Sequence, residues 1–540
     1  MQDQVANEVA DILIIGAGAS GAAAAWSLSQ RGLSVVCLEQ GGWIDPTSYP
    51  HWKPDWELHR QTDFAKDPNV RRRPEDYPLD NTDSPITPLM FNAVGGSTIH
   101  WTGHFPRFRP SDFRVRTLDG VADDWPLTYW DLEPYYDQND AFIGVSGVAG
   151  DPSYPSRTPR HGTPFGLGSA GEAYVRGLEH LGWHWWPSDS ALLTAPHQPG
   201  RQVCTACGPC DLGCPIGALS SAQVTYWPAA LAAGVELRTH TRVREITVDA
   251  RGRASGAIYY DAAGHVQEQP ARTVILACNG IGTPRLLLNS VSGRFPHGLA
   301  NSSGLVGQNL MFHPFGCVTG IFPEQLDGHK GPLGSFLYCH EFYETDLSRG
   351  FVRGVQLQLN RDSGPLTAAL GGFTGHPVAW GADHHRQLRE RYAHGLNIGI
   401  LVDDLPERHN TVTLSPTLVD SHGIPAPKIT YTLSENSRRA LEFGVDRATQ
   451  LLEAAGAHTV LRDPLVRDSG WHLMGTARMG DDPATSVVDR WGRAHDVPNL
   501  FIVDGSVFVT GAAVNPTTTI QALALRTAEW LDQHFQEVSV

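Results

Sequence analysis

The sequence predicts an α/β chain, a Rossmann-like dinucleotide-binding domain joined to an α+β domain built on an antiparallel sheet. Three observations predict it. A glycine fingerprint lies between a strand and a helix near the N-terminus, the 540 residues are enough for two domains, and a late stretch alternates apolar with polar residues.

Asp11–Ile15 is a short apolar run that reads as a buried strand. Gly16-Ala17-Gly18-Ala19-Ser20-Gly21 follows, then the helix-forming stretch Ala22–Ser29, a break at Gly32 and a second strand Leu33–Leu38. Glu39 stands 18 positions past the last glycine, as a ribose-binding acid would. Gly16 permits the tight turn, Gly18 lets the backbone approach a pyrophosphate, and Gly21 lets helix and strand pack closely. The pyrophosphate would sit at the helix N-terminus. FAD and NAD share this fingerprint, so it does not choose between them. A turn that needs glycine for geometry alone is the bland alternative, and the flanking elements argue against it.

Arg71-Arg72-Arg73 in a Pro/Asp-rich loop reads as a solvated surface. Cys204, Cys207, Cys210 and Cys214-Pro215 then repeat the ferredoxin spacing C-x2-C-x2-C-x3-C-P within eleven residues. An iron–sulfur cluster is the leading reading of these four ligands, structural zinc the second, disulfides or idle thiols the third. Zinc sites draw ligand pairs from two separated knuckles, and no second pair exists here. Disulfides between cysteines so close in sequence would be strained.

Further along, Arg242–Ile246 reads as a strand, and residues 395–432 carry alternating runs such as Thr411–Leu414 and Lys428–Thr432, suited to an antiparallel sheet. Ser437–Ala455 has amphipathic helical spacing. Asn515-Pro516 is a helix start, Asn as N-cap and Pro as first helical residue, with helix continuing over Thr517–Leu531.

Composition narrows the class. A net charge of −16 argues against nucleic acid and anionic lipid as partners, and no apolar run reaches the length of a membrane span. Residues 1–10 are polar and acidic, with no basic region or apolar core of an export signal, which alone reads cytoplasmic. Cys37, Cys278, Cys317 and Cys339 sit among apolar neighbours and read as buried thiols. No C-x-x-C-H occurs, so the chain carries no c-type haem.

Five blocks occur in a telling order. They are Val94-Gly95-Gly96-Ser97-Thr98-Ile99-His100-Trp101, Asn279–Leu288 with Thr283-Pro284, Leu305–Pro314 with Asn309 and His313, Trp471–Gly480 with His472, and Phe501–Thr519 with Asp504 and Asn515-Pro516-Thr517. Together they resemble the glucose–methanol–choline (GMC) flavoprotein oxidoreductases over essentially the whole chain. With the cysteine run, the sequence most resembles the catalytic subunits of bacterial FAD-dependent glucose, gluconate and fructose dehydrogenases. His100-Trp101-Thr102 also resembles pyranose oxidase.

The resemblance implies an FAD-binding domain assembled from residues 1–115, 195–312 and 468–540, with the cysteine loop at 204–215. Residues 116–194 and 313–467 would form a discontinuous substrate-binding cap domain. It implies FAD contacts at Gly95, Gly96, Ser97, Val243, Asp504, Asn515, Pro516 and Thr517, and two open states at His100, a covalent flavin link or simple packing. It implies a [3Fe-4S] or [4Fe-4S] cluster, Cys210 and Cys214 matching the family pattern more directly than Cys204 and Cys207. It also implies a small subunit and a cytochrome acceptor, and co-export with such a partner leans the location toward the periplasm.

Alcohol oxidation by hydride transfer needs a base for the hydroxyl proton, a donor to the oxygen and close approach of the carbon to the flavin. His472 is the natural base and Asn515 offers the amide donor, the positions of the family's His–Asn pair. A core histidine is the alternative for His472 on local sequence. The expected activity is dehydrogenation of a CH–OH group on a sugar or glycoside. A dehydrogenase or oxidase of a non-sugar alcohol is the second reading, and a non-catalytic flavin/iron–sulfur relay subunit is the third. Trp183 and Trp185-Trp186, among fifteen tryptophans, suit stacking on substrate, although core packing explains most of them.

Overall fold

Burial on both faces explains the unbroken apolar character of the first strand, Ala10–Ile15. The computed structural model describes residues 7–332 and 336–540, so residues 1–6 of the polar N-terminal stretch lie outside it. Ala10–Ile15 pairs in parallel with Val35–Leu38 on one side and with Ala271–Leu276, the second half of a long strand, on the other. Glu236–Arg238 extends the parallel row, and Leu500–Ile502 joins the long strand in parallel. The first half of that strand, which spans Val266–Leu276, pairs antiparallel with Ala254–Tyr260, and that with Arg242–Val248. Pro270, with no N–H to give a ladder, stands where the pairing changes sense.

The helix after the fingerprint runs Ala19–Ser29, three residues longer than predicted at its start, and the second strand is confined to Val35–Leu38. Ala22–Ala25 are small and buried all round the helix, which lets the C-terminal helix Thr517–Gln533 pack closely against it. That last helix begins one residue later than predicted. Pro516 is its cap residue and Asn515 lies outside it, because the Asn515 side chain is turned toward Tyr338 instead.

A second sheet is antiparallel throughout. Its order is Thr459–Asp463, Phe315–Ile321, Gly395–Val402, Val355–Asn360, Leu337–Cys339 and Trp185–Pro187. Helices Glu435–Ala455 and Gly168–Leu181 lie together, the former directly on this sheet. Ser434 caps the longer one, its hydroxyl accepting from Ser437 N–H at 3.0 Å. Gly177 lets the two helices touch, since a Cβ there would lie 2.7 Å from the Leu451 carbonyl oxygen.

The alternating stretch 395–432 does not form one sheet, contrary to expectation. Gly395–Val402 is buried along its whole length at the centre of the second sheet. Thr411–Val419 and Pro425–Thr430 form a separate hairpin, joined in parallel by Asp80–Asp83. Alternation reports a half-buried strand but says nothing about which sheet it enters. No helix of the described residues is long and apolar enough to cross a membrane.

Candidate active site

A cavity of about 830 Å³ opens between the two sheets, within the size range of cofactor sites. Its walls carry Gly16, Gly18, Glu39, Gly96, Ser97, His100, Val243, His472, Asp504, Asn515, Pro516 and Thr517. Gly21 and Gly95 are set back from it, and their reasons are local. A Cβ on Gly21 would lie 2.0 Å from the Gly16 carbonyl oxygen, and one on Gly95, at φ +95°, 2.9 Å from the Gln223 backbone nitrogen.

Gly18 differs from both. A Cβ there would meet no protein atom within 4 Å, so the space it guards belongs to the cavity. That is the cradle a pyrophosphate needs, at the first turn of Ala19–Ser29. Beyond the cradle, the Glu39 carboxylate accepts from Ala17 N–H and Gly41 N–H, both at 2.8 Å. Burial pushes its pKa up to about 7 against those two bonds. Asp504 ties the last segment to the helix Asn279–Asn289, accepting from Asn279 N–H at 3.1 Å and Thr283 Oγ1 at 2.5 Å. Val243 lines the cavity from the strand Arg242–Val248.

His100 is buried against Phe91, ring centroids 4.1 Å apart. Its Nδ1–H donates to the Asp211 carbonyl at 2.9 Å, while Nε2 is buried and has no partner. Burial, then Lys66 and Arg71, hold its pKa well below the ordinary 6.5, so Nε2 carries a free lone pair. An unpartnered buried nitrogen facing a cavity is what an absent group leaves behind. Open cradle, bare Nε2 and cavity volume all fit an FAD. Asp211 belongs to the cysteine loop. Burial would raise its pKa, but Arg60 at 2.9 Å and Lys66 at 3.3 Å, with Arg361, hold it well below the usual carboxylate range.

At the far end three histidines converge. His313 Nε2–H donates to the Gly511 carbonyl at 3.1 Å, which leaves its Nδ1 as an acceptor. His472 Nδ1–H therefore donates to His313 Nδ1 at 2.6 Å, and His472 Nε2 keeps its lone pair. Burial, then His313 and His104, push the pKa of His472 well below 6.5, and burial takes His313 to about 4. His104 meets the Tyr338 hydroxyl at 2.6 Å, and Tyr338 reaches Asn515 Oδ1 over a long 3.5 Å. Engaging Oδ1 turns the Asn515 amide NH₂ away, free for a substrate oxygen. The arrangement offers one neutral base and one amide donor on a single wall.

Sequence reasoning missed His104, Tyr338, Asp211 and Lys66 here, and His313 was noted only as part of a block. No local spacing marks them, since each arrives from a different segment. Cys204, Cys207, Cys210 and Cys214 line one small recess apart from the cavity, and no disulfide forms among the described residues. Burial raises Cys204 to about 11 and also raises Cys214. Among the described residues, no group of three or more His, Cys, Asp or Glu side chains is placed to hold a metal ion. The recess therefore gathers the right donors without closing them around a centre.

Two models described as GMC oxidoreductase match residues 170–315 and 406–524, and one described as FAD dependent oxidoreductase matches residues 11–49. The chain is 44% identical to 2-methyl-1,2-propanediol dehydrogenase of Mycolicibacterium austroafricanum, over 98% of this chain and 96% of that one. It is 31% identical to the fructose dehydrogenase large subunit of Gluconobacter japonicus, over 96% and 97%. Among solved structures, pyridoxine 4-oxidase from Mesorbium loti superposes with a TM-score of 0.67 at 16% identity, covering 97% and 99%, a likeness of fold alone.

Proposed function

The chain belongs to the GMC oxidoreductase family, FAD-dependent enzymes acting on CH–OH groups, and from that premise we propose a dehydrogenase of a small aliphatic alcohol. The carrying observation is that His472, with a free Nε2, and Asn515, with a free amide NH₂, share one cavity with the glycine cradle. Likeness to a diol dehydrogenase favours an aliphatic alcohol over the sugar expected from sequence. Likeness to a fructose dehydrogenase keeps the sugar as second reading.

FAD supplies the hydride acceptor. The chain does the rest. His472 Nε2 takes the hydroxyl proton, and the Gly511–His313 pair holds His472 in the tautomer that can accept it. The Asn515 amide donates to the oxygen as negative charge develops there. Phe315 and Leu401 line the same cavity and exclude water. Gly16, Gly18, Gly96, Ser97, Glu39, Val243 and Asp504 would hold the dinucleotide, with Gly21 and Gly95 shaping the turns behind it. The start of Thr517–Gln533 would turn its positive end to the flavin.

His100 is proposed to carry the flavin covalently: Nε2 would bond to a ring-methyl carbon that gives up a C–H proton, leaving the ring reduced by two electrons for the external electron acceptor to remove, and the bare, neutral nitrogen supports this. Acid-denatured protein should then stay yellow, and His100→Asn should release the colour. The division into segments 1–115, 195–312 and 468–540 against 116–194 and 313–467 is supported by strand membership, each large sheet drawing all its strands from one set. An iron–sulfur cluster in the cysteine recess, delivering single electrons to a partner protein, is supported by the four cysteines that line one recess. Their loop also reaches the flavin cavity through Asp211.

Anaerobic mixing with a panel of aliphatic alcohols and sugars tests the core reading. Small aliphatic alcohols should bleach the flavin within one turnover. If no alcohol or sugar does, the proposal fails.

A further inference from the structure

The second sheet carries amides on a face where buried strands ordinarily carry apolar side chains. In Val355–Asn360, Val355, Leu357 and Leu359 point into the core beneath the long helix, while Gln356, Gln358 and Asn360 share the opposite face. Gln356 is wholly buried and Gln358 nearly so. Burying amides is costly unless each is hydrogen-bonded, and these are bonded in a row.

The row has a direction. His340 Nε2–H donates to Gln356 Oε1 at 2.7 Å, and burial keeps His340 neutral by taking its pKa to about 3. Gln356 Nε2 donates to Gln358 Oε1 at 3.0 Å, and Gln358 Nε2 to Asn360 Oδ1 at 2.8 Å. Asn360 Nδ2 reaches Asn397 Oδ1 at 3.4 Å, and Asn397 anchors the row by donating to Thr319 Oγ1 at 2.8 Å. Every amide is thereby fixed in orientation.

Two members, Gln358 and Asn360, reach the cavity that holds His472 and Asn515. Each spends one N–H and one oxygen lone pair in the row. Each keeps a second N–H and a second lone pair with no bond among the described residues. Gly399, opposite Gln358 in register, keeps the row clear, since a Cβ there would lie 2.4 Å from Asn360 Nδ2.

We infer that Gln358 and Asn360 form a subsite for a second hydroxyl of the substrate, separate from the hydroxyl oxidised at His472, so that the substrate class is a diol or polyol. This rests on the alcohol-oxidising reading above. A hydroxyl both donates and accepts, which matches the donor and acceptor that each amide has left. A carboxylate would leave the acceptors facing charge of their own sign, and a hydrocarbon would leave fixed donors and acceptors unpaired.

Anaerobic flavin bleaching by 1-propanol, 1,2-propanediol and 1,3-propanediol tests it, with Gln358→Leu and Asn360→Leu beside the parent enzyme. The parent should prefer a diol to 1-propanol by about 10-fold or more in the second-order rate constant of bleaching, a neutral hydrogen bond or two. Each substitution should raise the half-saturating diol concentration about 10-fold and leave 1-propanol within about 3-fold. Equal losses for all three alcohols, or bleaching of the parent flavin with no preference for a diol, would overturn the subsite. If Gln358→Leu fails to retain FAD, Gln358→Met is held to the same criterion. Tryptophan fluorescence of His472→Ala titrated with each alcohol reads affinity without turnover. Tighter binding of the diol there supports the subsite even if no alcohol bleaches the parent flavin, an outcome that would sink the oxidation reading alone.

Discussion

His472 is useful as a base only while its proton sits on Nδ1, and the Gly511 carbonyl sets that through His313. Replacing His472 by Ala should slow flavin reduction by about 10²–10⁴ with FAD still bound, measured by stopped flow. His313→Phe removes the acceptor for His472 Nδ1–H and should slow the same step by roughly 10-fold, a typical neutral hydrogen bond. His313→Asn, whose amide oxygen can accept in its place, should restore most of the rate. Failure of that rescue would point to packing rather than tautomer control. The pH profile follows from the direction of the shift. A folded pKa well below 6.5 keeps His472 neutral and basic at neutral pH, and it becomes protonated only as pH falls through that lower value. Flavin reduction should therefore be level from about pH 6 to 8 and fall only in more acidic buffer. A midpoint near 6.5 would mean that His472 is solvated during turnover.

The glycine turn was legible because strand, turn and helix are consecutive in sequence, and each glycine answers a contact within that unit. The structure separates their roles. Gly18→Ala places its methyl in the cavity with no protein neighbour within 4 Å, whereas Gly21→Ala drives one to 2.0 Å from the Gly16 carbonyl oxygen. We expect Gly18→Ala to purify as folded apoprotein with a Tm close to that of His100→Asn stripped of FAD. Gly21→Ala should lose about 1–3 degrees, an overpacking cost of about 1–3 kcal/mol. Thermal scans with and without added FAD distinguish them, and equal destabilisation would contradict the assignment. The second sheet was not legible to the same depth. Its strands come from Trp185–Pro187 to Thr459–Asp463, and antiparallel pairing across such distances leaves no periodic signal of partner. For that reason 395–432 read as one sheet and folds into two. His104, Tyr338 and Asn515 meet by the same long-range assembly, and only Asn515 carried a motif around it.

Across the whole molecule, the cysteine loop meets the cavity at Asp211, whose carbonyl accepts from His100 and whose carboxylate pairs with the cavity-lining Arg60 and Lys66. Asp211 stands next to Cys210, so a group held in the recess and a flavin held in the cavity would share a short covalent neighbourhood. Beyond that bond the recess meets the cavity through apolar packing, Cys210 being buried with Leu192, Leu219 and Phe336 and the cavity-lining Trp101 lying against them. Substitution at the recess should therefore spare the chemistry in the cavity. Cys214→Ser, chosen because its thiol lies farther along the loop from Asp211 than Cys210 does, should leave first-turnover bleaching by substrate unchanged within about 3-fold. A change above that size, about 0.65 kcal/mol, would exceed what a distant, independent site transmits. Sustained turnover with a one-electron dye should collapse, and the iron and sulfide of the parent protein should be lost with it. Zinc in place of iron in the parent would show a structural clamp. Full dye turnover in Cys214→Ser would show that electrons leave the flavin by another route, and either result would remove the cluster from the account while leaving the alcohol site at His472 and Asn515 standing.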